Sequence, residues 1–364
     1  MKNIVFNIYD INNKGGEERM CITLANLLTN KGYNIFIVSF FSHKEKSTFY
    51  RIEKNIKLIH LHGTFLERRI TQFIPFINYA DKKYESILKK LNIDIIIDVD
   101  TDRTPFTSPV AKRLQIKHIA WDHFCYSRFI NRELSRIVLP YLKTEVDKLV
   151  VLTKEDKFKY HKDAKINHDK IVQIYNMSPI QENTYYEHNT KRVLAMGRLM
   201  YEKGFDLLID AWNLVSKQGT DWSLRIVGDG ILKQELLNKI KEYGLTNIEI
   251  CAATNNPREE YLNADIFVLS SRYEGLGLVL LEAANLSLPL VSFDCDNGPR
   301  EIIKPGINGF LAKPNNIEDL SDKLYEVMSN ETLRREMSMN ALNSVNQFRS
   351  DVILMKWINL IENI

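Results

Sequence analysis

A chain of 364 residues has room for about two domains of ordinary size. Its 45% hydrophobic and 26% charged residues are those of a globular protein, and a net charge of +3 gives no ground for nucleic-acid binding. The four cysteines, Cys21, Cys125, Cys251 and Cys295, stand far apart without a C-x-x-C, which argues against a zinc or disulfide framework and fits a reducing cytoplasm. The first residues run straight into a strand pattern whose apolar run is too short for a signal peptide. No uncharged stretch approaches the ~18 residues that a membrane-spanning helix needs. These features predict a cytoplasmic protein, at most peripheral on the inner face of a membrane.

In chain order, 4–9 reads as a strand, 12–19 as a polar turn with Gly15 and Gly16, 17–30 as a helix and 33–40 as a second strand. Strand, glycine turn, helix, strand is one unit of a parallel sheet. Aliphatic runs at 56–61, 93–99, 116–120, 148–152 and 170–174 read as further strands covered on both faces. A polar, turn-rich piece, 176–190, reads as an interdomain linker. The alternation then restarts, with strands near 193–196, 223–227, 248–250, 265–269 and 290–293 and helices near 205–217, 231–243, 258–263 and 278–285. Several helices finish the chain from 317 onward. The expected class is α/β, with two Rossmann-like domains, 1–178 and 190–348, facing across a cleft.

The most informative stretch is Ser270-Ser271-Arg272-Tyr273-Glu274-Gly275-Leu276-Gly277-Leu278, followed by an apolar helix carrying Glu282. A buried strand, a glycine turn and a helix N-terminus make an anion site, because free backbone N–H groups and the positive end of the helix dipole point the same way. Glu282, among Leu278 to Leu281, is expected to be buried, where a carboxylate needs hydrogen-bond donors such as ribose hydroxyls. Arg198 ends a strand and Lys203 precedes a helix, so two cations suited to a diphosphate stand at a second strand end. Taken singly, each piece also reads as an ordinary solvated turn.

Four pieces occur together in order: Gly15-Gly16-Glu17-Glu18-Arg19; Gly197-Arg198-Leu199 with Glu202-Lys203-Gly204; Val227-Gly228-Asp229-Gly230; and Glu274-Gly275-Leu276-Gly277 with Glu282. Together they resemble the retaining nucleotide-sugar glycosyltransferases of family 4, with the two-domain GT-B fold, over nearly the whole chain. The resemblance implies roles. Arg198 and Lys203 would neutralise the leaving diphosphate. Glu282 would hold the ribose. Glu274, with the backbone of Gly275, Leu276, Gly277 and Leu278, would sit at the donor sugar and phosphates, with Gly228 also on the donor side. Gly15 and Gly16 would bring the first domain's backbone against the diphosphate and acceptor. His123, which alone reads as structural, would face the sugar. The helix at about 350–364, with Trp357, would cross back to the first domain.

The implied reaction is front-face substitution with retention, mainly electrostatic, moving a hexose or N-acetylhexosamine from a UDP-sugar to a growing glycan. It requires no metal, no other cofactor and no protein nucleophile. Bacterial surface-polysaccharide or lipid-linked oligosaccharide synthesis is the implied setting, because Phe293 to Glu301 resembles that subgroup. The loop 251–256 lacks the expected pattern beside the base. Asp98-Val-Asp100 matches the D-x-D metal signature of the other large glycosyltransferase fold, but its place in the first domain favours an acceptor or structural role. Arg128, Arg132 and Arg136, four apart, are expected on one helical face, the first two as acceptor contacts. The segment 63–90 mixes large apolar residues (Phe65, Phe73, Phe76) with Arg68, Arg69 and lysines, a pattern suited either to peripheral contact with an anionic membrane or to a helix whose apolar face is core and whose cations are solvated. The competing readings are a nucleotide-sugar epimerase of the same architecture and a non-catalytic glycan- or membrane-binding protein.

Overall fold

Aliphatic runs without polar alternation become strands covered on both faces, and here they build two parallel sheets. The computed structural model describes residues 1–40, 48–61, 73–182, 185 and 189–364, and within 73–81 the backbone only. The chain forms two compact units, Met1–Tyr175 with Asp351–Ile364, and Asn176–Ser350.

The first unit holds strands β1 Asn3–Ile8, β2 Asn34–Ser39, β3 Lys57–His60, β4 Ile95–Val99, β5 Lys117–Trp121, β6 Lys148–Val151 and β7 Ile171–Gln173. Its helices are α1 Gly16–Asn30, α2 Phe73–Leu91, α3 Thr104–Leu114, α4 Tyr126–Ile130, α5 Ser135–Thr144 and α6 Lys154–Lys162. The sheet order is β3-β2-β1-β4-β5-β6-β7. From β1 the chain winds one way to β2 and β3, and from β4 the other way to β7. The crevice beyond the carboxyl ends of β1 and β4 is therefore the topological switch point, where open α/β sheets bind ligands.

The C-terminal helix Ser350–Glu362 packs on this unit from Asp351 onward. Trp357, fully buried, meets Trp121 edge to face at 4.8 Å. Lys2 pairs with Glu362 at 3.2 Å.

The second unit holds β8 Arg192–Met196, β9 Ser223–Val227, β10 Ile248–Cys251, β11 Ile266–Leu269, β12 Leu290–Phe293 and β13 Gly309–Ala312, in the order β10-β9-β8-β11-β12-β13. Its helices are α7 Phe205–Ser216, α8 Lys233–Glu242, α9 Pro257–Leu262, α10 Leu278–Asn285, α11 Pro299–Ile302, α12 Ile317–Ser329 and α13 Glu331–Ser344. The predicted strands fall within about two residues of these, except β13, which the sequence reading lacks. Four residues, Gly309-Phe-Leu-Ala312, carry no periodicity of their own, and pairing with β12 makes them a strand.

Two expectations change, and a third falls largely outside the described residues. The first residues of the expected linker belong to the second unit: Asn176, Met177 and Ser178 are buried there, and Ser178 Oγ accepts from Asn285 Nδ2 at 2.6 Å. Arg128, Arg132 and Arg136 do not share a helix, because α4 ends at Ile130 and α5 starts at Ser135. The membrane-contact segment 63–90 lies outside the described residues up to 72, and for 73–81 only its helical backbone is described. Of its lysines, Lys83 donates to the Leu61 carbonyl at 2.9 Å and Lys89 pairs with Glu85 at 2.7 Å. Among the described residues no helix is long and apolar enough to cross a membrane.

Candidate active site

In the second unit the turn after β11 gathers the predicted donor residues. Glu274 Oε1 takes Lys203 Nζ at 2.7 Å and Ser271 Oγ at 2.6 Å. The lysine is 19% exposed and the glutamate 10%, so this is a geometrically fixed pair that solvent screens only weakly. Arg198 follows β8 and pairs with Glu202 at 3.2 Å, yet its side chain is 69% exposed and reaches outward. Gly277 is the N-cap of α10 at φ 86°, a backbone region that favours glycine. No side chain caps α10, and no acidic residue stands in its first turn. Its leading N–H groups and positive dipole end are thus left for an anion. The side chain of Leu276 is buried in the core, so its contribution at the turn is its backbone.

Glu282 lies in α10 and is 5% exposed, as expected of it. Tyr261 Oη donates to its Oε2 at 2.7 Å, so a protein hydroxyl supplies one of the donors assigned to a ribose. Gly228 has a packing reason for being glycine: a Cβ there would come within 1.9 Å of the Gly197 carbonyl oxygen. It lets the turn after β9 lie against the one that carries Arg198. In the loop 251–256, the Ala253 N–H donates to Asp229 Oδ2 at 2.9 Å. Sequence reading missed the clamp beneath the donor turn. Arg272 forks onto Asp206 at 2.9 and 2.7 Å, donates to the Tyr201 carbonyl at 2.7 Å and lies 4.0 Å from the Tyr201 ring centroid. Its signal was an arginine inside the strand-to-helix turn.

The first unit presents its own polar cluster at the switch point. Gly15 caps α1, its N–H donating to Glu18 Oε2 at 3.1 Å, and Gly16 opens the helix. Two glutamates, Glu17 and Glu18, stand in the first turn. The positive end of α1 is thus already answered by carboxylates. His123 follows β5, its ring 4.3 Å from that of Trp121. Its Nε2 is buried with no partner among the described residues. Burial, and then the nearby Arg103 charge, push its pKa down to about 3, so the imidazole is neutral at working pH. Asp122 Oδ2 accepts from Tyr160 Oη at 2.6 Å and Oδ1 from the Phe124 N–H at 3.1 Å, which fixes the loop carrying His123.

The D-x-D residues separate completely. Asp98 is fully buried and accepts from Asn7 Nδ2 at 2.7 Å and Thr107 Oγ1 at 2.5 Å, with His118 Nε2 at 2.8 Å. It holds β1, β4, β5 and α3 together, a structural role. Asp100, just past the end of β4 at φ 81°, is buried and accepts from the Thr101 N–H at 2.6 Å. Among the described residues no three His, Cys, Asp or Glu side chains group as ligands for one metal ion. Arg128 and Arg132 do come together, by a different route from a shared helix. Their guanidinium carbons lie 5.1 and 5.8 Å from the Phe124 ring centroid, and Arg132 also pairs with Asp102.

The model of Glycosyltransferase Family 4 matches residues 14–180, and that of Glycosyl transferases group 1 matches residues 179–344. An uncharacterized glycosyltransferase of Haemophilus influenzae is 31% identical over 360 residues, covering 98% of this chain and 99% of its own. The chain is a family 4 glycosyltransferase. This glycosyltransferase is also 30% identical, over 99% of its length and 100% of the relative's, to the amylovoran biosynthesis glycosyltransferase AmsD of Erwinia amylovora. Its fold is GT-B, shared with an S. aureus TarM variant solved with fondaparinux, α-GlcNAc-glycerol and UDP. The TM-score is 0.83 at 17% identity, with each chain covered completely.

Proposed function

We propose that the enzyme transfers a hexose or N-acetylhexosamine, with retention, from a UDP-sugar to a growing glycan of a bacterial surface polysaccharide or lipid-linked oligosaccharide. The observation that carries this reading is the Lys203–Glu274 pair set beside the uncapped N-terminus of α10. A diphosphate there would meet a lysine, the exposed Arg198 and free backbone N–H groups at once. As the donor's C1–O bond breaks, negative charge grows on the leaving UDP, and fixed positive groups favour that state over the ground state. Glu274 holds Lys203 in place and stands where the donor sugar's hydroxyls are assigned. Glu282, oriented by Tyr261, is assigned to the ribose. His123, neutral and with Nε2 unengaged, is assigned to the sugar. Gly15 and Gly16 are assigned to the close backbone approach at the diphosphate and acceptor. The departing diphosphate oxygen takes the acceptor's proton, so no protein base is needed. The AmsD relative supports the polysaccharide setting, and the UDP bound to the TarM variant supports the nucleotide.

The test is thermal stabilisation across a UDP-, GDP- and ADP-sugar panel with EDTA present, for the wild type, Lys203→Ala and Glu282→Ala. A ligand that binds the folded state raises its melting temperature. A shift with one UDP-sugar, lost in both variants, is the expected result. No shift with any nucleotide sugar would overturn the reading. UDP release that depends on an added acceptor separates transfer from epimerisation.

A further inference from the structure

We infer that Arg103 and Asp102 form a hydroxyl clamp in the first unit that selects a neutral, hydroxyl-rich sugar ring as the acceptor residue, in preference to a ring bearing a phosphate or carboxylate. The inference rests on the glycosyltransferase reading above and adds the chemical class of its acceptor.

Arg103 follows β4 and is 7% exposed. Its Nη2 reaches Glu17 Oε1 at 3.3 Å, and its guanidinium lies 6.0 Å from the Tyr9 ring centroid, just beyond β1. The remaining N–H groups, on Nε and Nη1, are buried with no partner among the described residues. Asp102 gives Oδ2 to Arg132, while its Oδ1 is equally buried and unpartnered. His123 Nε2 is in the same condition. All three side chains follow the neighbouring strands β4 and β5, at or next to the switch point. The charge of Arg103 acts on Glu17, Asp100 and His123, and that of Asp102 on Glu17 and Asp100, so they form one cluster. A buried donor or acceptor left unmade keeps its full desolvation penalty, and folded proteins keep few such groups. A ligand that completes them offsets that cost.

The free donors and the free acceptor set the ligand class. An ionised phosphate or carboxylate on Arg103 has no proton for Asp102 Oδ1 and would set a second anion against it. A hydroxyl fits without that repulsion, because it accepts from an Arg103 N–H and donates to Asp102 Oδ1. A vicinal pair of hydroxyls would use both Arg103 nitrogens. Buried polar groups built for a hydroxyl reject a ring that lacks it.

The test uses the full chain without nucleotide. Binding of methyl glycosides of glucose, galactose and their N-acetylamino forms is measured by saturation-transfer NMR, beside methyl glucuronide and glucose 6-phosphate. At least one neutral glycoside should bind ten-fold or more tightly than either acidic probe. Arg103→Gln and Asp102→Asn should each weaken it ten-fold or more, with UDP affinity, titrated separately, unchanged within two-fold. If Arg103→Gln fails to fold by circular dichroism, the more exposed Asp102→Asn decides. The inference is overturned if the acidic probes bind as well, if no neutral glycoside binds, or if the folded variants bind like the wild type. Absence of UDP binding would count against the donor reading and leave the glycoside comparison intact.

Discussion

The two units finish their polar clusters in opposite ways. In the second, nearly every buried or half-buried charge meets a protein partner: Lys203 with Glu274, Arg272 with Asp206, Glu282 with Tyr261. At the donor turn what is left open is backbone, the N-terminus of α10 with no cap and no acid in its first turn. In the first, the N-terminus of α1 is closed by Glu18 and carries Glu17, while side-chain atoms of Arg103, Asp102 and His123 stay buried without partners among the described residues. A diphosphate is a fixed anion of known shape, so backbone dipoles and locked ion pairs can await it. A sugar ring is neutral and presents hydroxyls, so a site for it keeps donors and acceptors in reserve.

The largest way to break this contrast is to remove the support of the first cluster from behind. Trp357→Ala deletes a fully buried indole that packs on Trp121, whose ring in turn lies 4.3 Å from that of His123. A loss of about 3–5 kcal/mol is expected. Hydrogen exchange should show protection falling in β4 and β5 while β8 and β11 keep theirs. Equal loss in both sheets would mean the helix does not stabilise the first unit in particular.

Lys203→Ala attacks the donor side. It strands Glu274 and removes a cation from the leaving group, so kcat should fall ~10²–10³-fold. Activity within ten-fold of wild type would remove this pair from the mechanism. Tyr261→Phe sharpens the same side. It deletes one hydrogen bond to a buried carboxylate, worth roughly 1.5–3 kcal/mol where the partner is charged. The UDP-sugar KM should rise about ten-fold, with melting temperature lowered and sugar choice unchanged. An altered KM for the acceptor instead would place Glu282 elsewhere.

The first cluster can also be probed through pH. Burial, then the Asp102 charge, raises Asp100 to about 7, against 3.8 as its ordinary value. Between those values the folded chain binds more protons than the unfolded one, so this group's contribution falls as pH rises. Glu17 and Asp122, raised chiefly by burial, act in the same sense. His123, lowered to about 3 from 6.5, acts oppositely and costs stability as pH falls below about 6.5. Asp100→Asn should therefore raise the melting temperature at pH 8 and change it little at pH 4. His123→Gln should relieve the acid side alone. Equal shifts at both pH values would contradict the burial of these groups.

Much of this was legible in the residues. Continuous aliphatic runs of strand length, separated by helical segments, dictate parallel sheets, because only strands covered on both faces tolerate them. Glycine turns at strand ends, with Arg198, Lys203, Glu274 and Glu282 at their spacings, marked the donor side before any coordinates, since that chemistry is local to short stretches. Other points depended on what lies across from a residue. Asp98 and Asp100 are two apart in sequence, yet one is locked by Asn7, Thr107 and His118 and the other caps the turn at Thr101. Arg128 and Arg132 looked like one helical face until the helix broke at Ile130, and they meet over Phe124 instead. Arg103 gave no signal at all, being a lone cation after a strand. Spacing fixes which way a side chain points from its own element, but burial and missing partners arise from groups far away in the chain. Only the packed sheet could decide that this arginine is buried with nitrogens to spare.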